Sequence, residues 1–212
     1  MSERALTPTS YFLLALMGLR PWSAYELAEQ MKRGFQYVWP KAERAFYYEA
    51  KRLADEGYAR AVDSPVGGRP RALYALTARG EAALGAWLAD RDPQPTRIES
   101  ETLGRLFFAE YGTIDDLRAA ADAAAADGRE ALQVVRERAR IYLEEGTEFP
   151  GRLHLIALAG RFIADYGAML AEYAEWVREV TADWEDTSPD GKTDQALAIF
   201  HSLLDETSRR LP

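Results

Sequence analysis

The stretch from Trp39 to Thr77 constrains this chain more than any other, because two hydrophobic periods meet in it across a single glycine. From Pro40 to Gly57 the period is helical. Ala42, Phe46, Ala50 and Leu53 share one face at about 100° per residue, which marks a core stripe. The opposite face collects Lys41, Arg44, Tyr48, Lys51 and Arg52, with Tyr47 on the flank. Proline is pre-organised for a first helical turn and glycine suits a left-handed cap, so Pro40 and Gly57 predict the limits of the helix. After Gly57 the period becomes two: Tyr58, Arg60 and Val62 alternate with Ala59, Ala61 and Asp63. Ser64-Pro65-Val66-Gly67-Gly68 is turn chemistry, and Arg71 to Leu76 make a second short run. The stretch therefore predicts a helix with a basic face, then a two-stranded hairpin with Arg69 and Arg71 near its tip.

A helix and hairpin so joined form the reading half of a winged helix-turn-helix. One element enters the major groove of DNA while the other touches backbone or minor groove. The residues before the stretch fit that plan. Thr7-Pro8 reads as a helix start, and the helix from about Thr9 to Gly18 is apolar nearly all round, which predicts burial on several sides. The apolar run 11–19 also raises a signal peptide; against it, Ser2-Glu3-Arg4 brings no net positive charge. Arg20-Pro21-Trp22 reads as a turn. Ser23 and Glu26 make a capping box for a second helix running to about Lys32, which buries Leu27 and Met31. Thr77 caps a fourth helix, expected to bury Ala82, Ala83, Trp87 and Leu88. Trp22 and Trp39 are expected to be structural.

With these residues in place the stretch resembles the PadR family of transcriptional regulators. The resemblance is carried by Ser23-Ala24-Tyr25-Glu26-Leu27, Trp39-Pro40, Tyr47, Lys51-Arg52-Leu53, Glu56-Gly57-Tyr58, Gly68-Arg69-Pro70-Arg71, Tyr74-Ala75-Leu76-Thr77 and Gly80, and extends over residues 6–90. Tyr48 stands where family members often carry proline. The resemblance implies DNA binding, a phosphate contact from Tyr47, and pairing of two chains through C-terminal helices.

The segment Arg91-Asp92-Pro93-Gln94-Pro95-Thr96 holds two prolines in three residues, which end a helix and stiffen a joint. It predicts a break between a winged-helix domain, 1–91, and a helical dimerisation and candidate effector domain, 92–212. In the second region Ile98 to Tyr111 reads as one helix ended by Gly112. Thr113 caps a long helix, with Asp115 and Asp116 in its first turn where negative charge suits the dipole. Residues 145–151 break it. Arg152 to about Trp184 forms a second long helix, Thr187 to Gly191 a loop, and Leu197, Phe200, Leu204 and Thr207 mark a last amphipathic one. Helices of about 30 residues far exceed the ~11–12 residue mean and span roughly 45 Å. Their apolar residues alternate by three and four, which is a seam for another helix. That partner helix lies within the chain, in a second chain, or both. Both are expected, with a two-fold dimer placing two reading helices about one DNA turn apart.

Charge divides the same way. The net charge is −8, made of +3 over residues 1–91 and −11 over residues 92–212. A basic head on an acidic body suits a DNA binder with a separate assembly domain. There is no cysteine, which fits a reducing, cytoplasmic compartment. No uninterrupted run reaches the ~18 apolar residues of a membrane span, so no membrane partner is expected. His154 and His201 are isolated, and no Ser–His–acid set or phosphate-cradling glycine loop is readable, so neither cofactor, metal nor enzyme activity is expected.

The fold class expected is mainly α: an N-terminal winged helix-turn-helix with a two-stranded wing, plus a C-terminal long-helix dimerisation domain. The function expected is a sequence-specific, dimeric regulator of transcription, a repressor, acting on double-stranded DNA. Base readout falls to Arg44, with Lys41 and Tyr48. Phosphate contacts fall to Tyr47, Lys51, Arg52, Arg69 and Arg71. Tyr166, Tyr173 and Trp176 are candidates for binding a small-molecule effector, although aromatics at helical spacing more often form core and dimer seam. The rival reading is a winged-helix protein-interaction module with no operator.

Overall fold

The computed structural model describes residues 4–63 and 72–211. Arg69 and Arg71, with the rest of 64–71, lie outside the described residues. The chain forms two compact units, Met1–Thr96 and Arg97–Pro212.

The first unit opens with α1, Pro8–Met17, capped by Thr7, whose side chain and that of Ser10 satisfy each other's backbone N–H groups. Strand β1 is the pair Trp22–Ser23. Helix α2, Ala24–Phe35, starts at the Ser23–Glu26 capping box the sequence predicts. Helix α3 is Glu43–Asp55. Strands β2, Ala59–Asp63, and β3, Ala72–Leu76, follow, then α4, Ala78–Ala89. Gly57, at φ 78°, takes the left-handed turn between α3 and β2. The core holds Leu13, Leu14 and Met17 of α1, Trp22, Leu27 and Met31, and Phe46, Ala50 and Leu53 of α3.

Three expectations are corrected here. The sheet has three strands, in the order β1-β3-β2, all antiparallel. Trp22, expected in a turn, pairs with Tyr74 and donates its indole N–H to the Leu16 carbonyl at 2.7 Å. Two residues are too few to show a period. Second, α3 starts at Glu43, so Pro40 and Lys41 precede it. Trp39 draws that approach onto α1, with its indole N–H on Thr9 Oγ1 at 2.9 Å and its ring edge-on to Phe12. Third, α4 leaves Ala82 and Leu88 exposed, with Leu88 at 69 %. Trp87 turns instead to stack on Tyr11 of α1 at 4.9 Å, which directs Leu88 to the other side.

The second unit begins with α5, Glu101–Phe107, and a 3-10 turn, Ala109–Tyr111. The helix expected from Ile98 starts later because Ser100 caps it, accepting from the Leu103 N–H at 3.1 Å. Helix α6, Ile114–Glu144, runs 31 residues from the Thr113–Asp116 capping box. Helix α7, Leu153–Val180, runs 28 residues and ends before Trp184. There Arg118 of α6 donates to the freed carbonyls of Thr181, Ala182 and Trp184. Helix α8, Thr193–Arg210, is last.

Helices α6 and α7 pack as an antiparallel hairpin, as the seam predicts. Leu117 and Ala121 meet Val177, and Ala124 and Ala125 meet Ala174. At the tightest approach a Cβ on Gly128 would lie 2.5 Å from the Gly167 carbonyl oxygen. The segment Pro150–Val180 is long and apolar enough to cross a membrane by length and composition alone. The run itself is interrupted by Arg161 and Asp165, as expected, while Leu153, Leu155, Ile156, Leu158 and Ile163 hold the mean hydropathy up around them.

Candidate nucleic-acid interface

Helices α2 and α3 form the helix-turn-helix, and β2 with β3 forms the body of the wing. Phe46, Ala50 and Leu53 turn one face of α3 inward. At spacings of four and three, Arg44, Tyr48, Lys51 and Asp55 then share the outward face. Arg44 is exposed and has no hydrogen-bond or ion-pair partner among the described residues. Tyr48 is 65 % exposed. Lys51 donates to Asp55 Oδ2 at 2.7 Å, and that bond raises its pKa above the usual lysine value. Tyr47 sits on the flank and donates to Glu43 Oε1 at 2.8 Å, a bond that raises the pKa of its hydroxyl. Lys41, ahead of the helix, lies over the Trp39 ring at 5.5 Å.

Arg52 does not belong to this face. It is 7 % exposed and spends its guanidinium on Glu49, Glu56, Ser10 and the Arg4 carbonyl. The reason is angular. Glu49, Arg52 and Glu56 stand three and four residues apart on the flank that meets α1, so the arginine answers two carboxylates rather than solvent. Burial opposes the charged form of Glu49. Hydrogen bonds from Arg52 and Ser10 outweigh it and hold the carboxyl below its ordinary range. Glu49 therefore pairs internally.

Two basic groups escaped the sequence reading. Lys32 and Arg33 are exposed in the last turn of α2, and Arg60 is exposed on β2 of the wing. The first helix of such a motif crosses the DNA backbone. The signal for the pair was their place at the C-terminus of a helix, where basic residues also serve the dipole.

In the second unit the candidate effector residues separate. Tyr166 lines a cleft of about 1010 Å³ between α5, α6 and α7, together with Phe108, Ala120, Ala123 and Leu170. Tyr173 and Trp176 are not part of its lining; their rings stack on each other at 5.7 Å along the exposed side of α7.

The fold and the α3 face together define a winged helix-turn-helix with long C-terminal helices. Residues 13–86 match the Transcriptional regulator PadR-like family, so the chain carries a PadR-like family domain. The chain is 26 % identical over 99 residues to the negative transcriptional regulator PadR of Bacillus subtilis (strain 168), a match covering 46 % of this chain and 54 % of that protein. The chain thus spans about half the length of the curated relative it matches. The crystal structure of B. subtilis PadR in complex with operator DNA is similar at a TM-score of 0.64 and 18 % identity, covering 82 % of this chain and 99 % of that one. The same regulator in complex with p-coumaric acid gives a TM-score of 0.55 at 19 % identity, covering 79 % and 97 %. The structure of smu.1604c from Streptococcus mutans UA159 gives 0.65 at 20 % identity, covering 80 % and 99 %.

Proposed function

We propose that the protein is a dimeric, sequence-specific DNA-binding repressor of transcription, working in the cytoplasm without enzymatic activity. The observation that carries this reading is the outward face of α3, where Arg44 and Tyr48 stand uncommitted beside a two-stranded wing. Arg44 reads a base edge by a two-pronged contact, with Lys41 and Tyr48 beside it. Lys51, Tyr47, Lys32 and Arg33 hold phosphates, which set register and affinity. Lys51 and Tyr47 must first exchange their carboxylate partners for phosphate. Arg69 and Arg71 are assigned to the backbone from the wing. In this division of labour residues 1–91 bind DNA and residues 92–212 assemble the dimer.

Dimerisation is supported by what the second unit leaves uncovered. Leu158, Phe162, Met169, Tyr173 and Trp176 line an exposed side of α7, and α8 has no buried residue. An 18-residue helix with Leu197, Phe200 and Leu204 in water is marginal alone, so a second chain is the natural cover. The same demand for cover accounts for the apolar length of α7 without a membrane. Tyr173 and Trp176 fall to that seam, while Tyr166 and its cleft remain the place for a small-molecule effector.

Selection from a random double-stranded DNA library at moderate and high salt tests the reading, with the mass in solution recorded alongside. The expected result is a palindromic motif with half-sites about one turn apart and steep salt dependence. Absence of binding at low salt overturns it. Arg44→Ala is expected to cost ~1–3 kcal/mol at one base position per half-site; uniform weakening would make Arg44 a phosphate contact.

A further inference from the structure

We propose that Ser10, Glu49 and Arg52 form a buried polar lock that fixes the roll of α3 on α1, and thereby positions Arg44 and Tyr48 for DNA, while adding little net stability. This inference rests on the DNA-binding reading above.

The apolar contacts of α3 come from Phe46, Ala50 and Leu53, and apolar contact is non-directional. It holds a helix down without specifying its rotation. The polar cluster is directional. Ser10 Oγ, fully buried in α1, donates to Glu49 Oε1. Arg52 Nη2 donates to the same oxygen at 2.6 Å, and its Nε donates to Oε2 at 3.0 Å, so the pair is two-pronged. Nη2 also reaches Ser10 Oγ at 3.2 Å, closing a ring of three side chains. Nη1 donates to Glu56 Oε2 at 2.6 Å and to the Arg4 carbonyl at 3.2 Å. A guanidinium has five N–H donors, and these five bonds engage all of them. Arg52 therefore keeps no donor for a phosphate. The fork fixes Glu49 and Arg52 against each other within α3, and the bonds of that pair to Ser10 Oγ and the Arg4 carbonyl set its orientation against α1.

A small roll matters at the DNA face. Helix surface residues lie ~5–6 Å from the axis, so a roll of about 20° moves them by about 2 Å. Recognition geometry tolerates only about 0.5 Å. The lock need not stabilise the fold, since desolvating an ion pair opposes its attraction. Apolar replacements of buried pairs are often neutral or stabilising. Stability and DNA recognition should therefore part company when the lock is made apolar.

The test uses the full chain carrying Glu49→Leu together with Arg52→Met, which leaves Ser10 its bond to the Thr7 N–H. Thermal midpoint, mass in solution and affinity for the wild-type-selected operator are measured across a salt series. The expected result is a midpoint within about 4 °C of wild type and an unchanged mass. Operator binding should be at least about tenfold weaker, with reduced discrimination against mismatched sites and an unchanged salt slope. Wild-type affinity and discrimination in this variant would overturn the inference. A slope lower by about two, one for each half-site, would also overturn it, by making Arg52 a phosphate contact. Should the double variant unfold, the claim of little net stability fails, and Arg52→Lys decides the positioning role. Lysine keeps the charge and loses the fork, so operator binding should again weaken; full affinity in Arg52→Lys would overturn the lock. Wild-type protein that binds no DNA overturns the DNA-binding reading and this inference with it.

Discussion

The two units of this chain solve the problem of burial in opposite ways. The N-terminal unit hides its large side chains: Trp22, Leu13, Leu14, Leu27, Met31 and Leu53 are fully buried. The C-terminal unit hides mainly small ones, Ala120, Ala121, Ala124, Ala125, Ala131 and Ala174, with Leu117 and Val177, and leaves its large apolar residues outside. Phe200 is 67 % exposed and Leu158 is 71 % exposed. Hydrophobic stabilisation scales with apolar area removed from water, so alanine contacts contribute little each. The first unit carries its own core. The second has a thin seam and an unmet demand for cover, which is what the proposed dimerisation role requires.

The largest effect expected from this contrast comes from polar substitution on the uncovered side. Leu158→Asp with Phe162→Asp replaces two exposed side chains of α7. The folded monomer should survive while the dimer dissociates, read as a fall of the mass in solution on dilution. Because two linked reading heads gain roughly 10²–10⁴ in avidity, operator binding should fall by about a hundredfold or more. A variant that stays dimeric would move the seam elsewhere, to α8.

Substitution in the N-terminal core should act oppositely, on stability first. Trp22→Ala removes the fully buried ring between α1 and the sheet and should cost about 3–5 kcal/mol in denaturant unfolding. A cost below ~1 kcal/mol would show that the site collapses around the loss. In the C-terminal unit the comparable lesion is overpacking rather than a cavity. Gly128→Ala would set a methyl 2.5 Å from the Gly167 carbonyl oxygen and 2.9 Å from the Ala171 amide nitrogen. The expected cost is about 1–3 kcal/mol, seen as separation of α6 from α7 and easier dissociation of the dimer. Unchanged stability would show that the hairpin slides to accept the methyl.

The contrast also explains what the sequence made legible. Capping boxes at Thr7–Ser10, Ser23–Glu26 and Thr113–Asp116 are local in sequence, so all three helix starts could be placed from the chain alone, although only Ser23–Glu26 was legible as a box. The Thr7 box was visible only as a Thr-Pro start. The long helices announced themselves by a seam repeated over many turns. Strand β1 was silent because its partner residues, Leu73 and Tyr74, lie some fifty positions away and only two pairs form. Arg52 was misplaced for a related reason. A basic residue near a basic face reads as part of it, and the competing claim of Ser10 comes from another helix. Glu49 and Glu56, at spacings of three and four, were the local hint that it turns inward. The exposed side of α3 was legible because Phe46, Ala50 and Leu53 fix the inward direction.

The smallest expected effect separates a structural ion pair from a poised one. Lys51 and Asp55 are both exposed, and solvent screens such pairs so that they add little to stability. Asp55→Ala should therefore leave unfolding nearly unchanged. It would also release the Lys51 ammonium from its carboxylate and remove a negative charge from the outward face of α3. DNA affinity should rise by a few fold at low salt, and the gain should shrink as salt is added, because screening weakens exposed charges. A rise that persists at high salt would place Lys51 against a base edge rather than a phosphate. A fall in affinity would mean that the ion pair holds Lys51 in the geometry that DNA requires, extending to the outer face the same dependence on fixed polar geometry that Arg52 shows on the inner one.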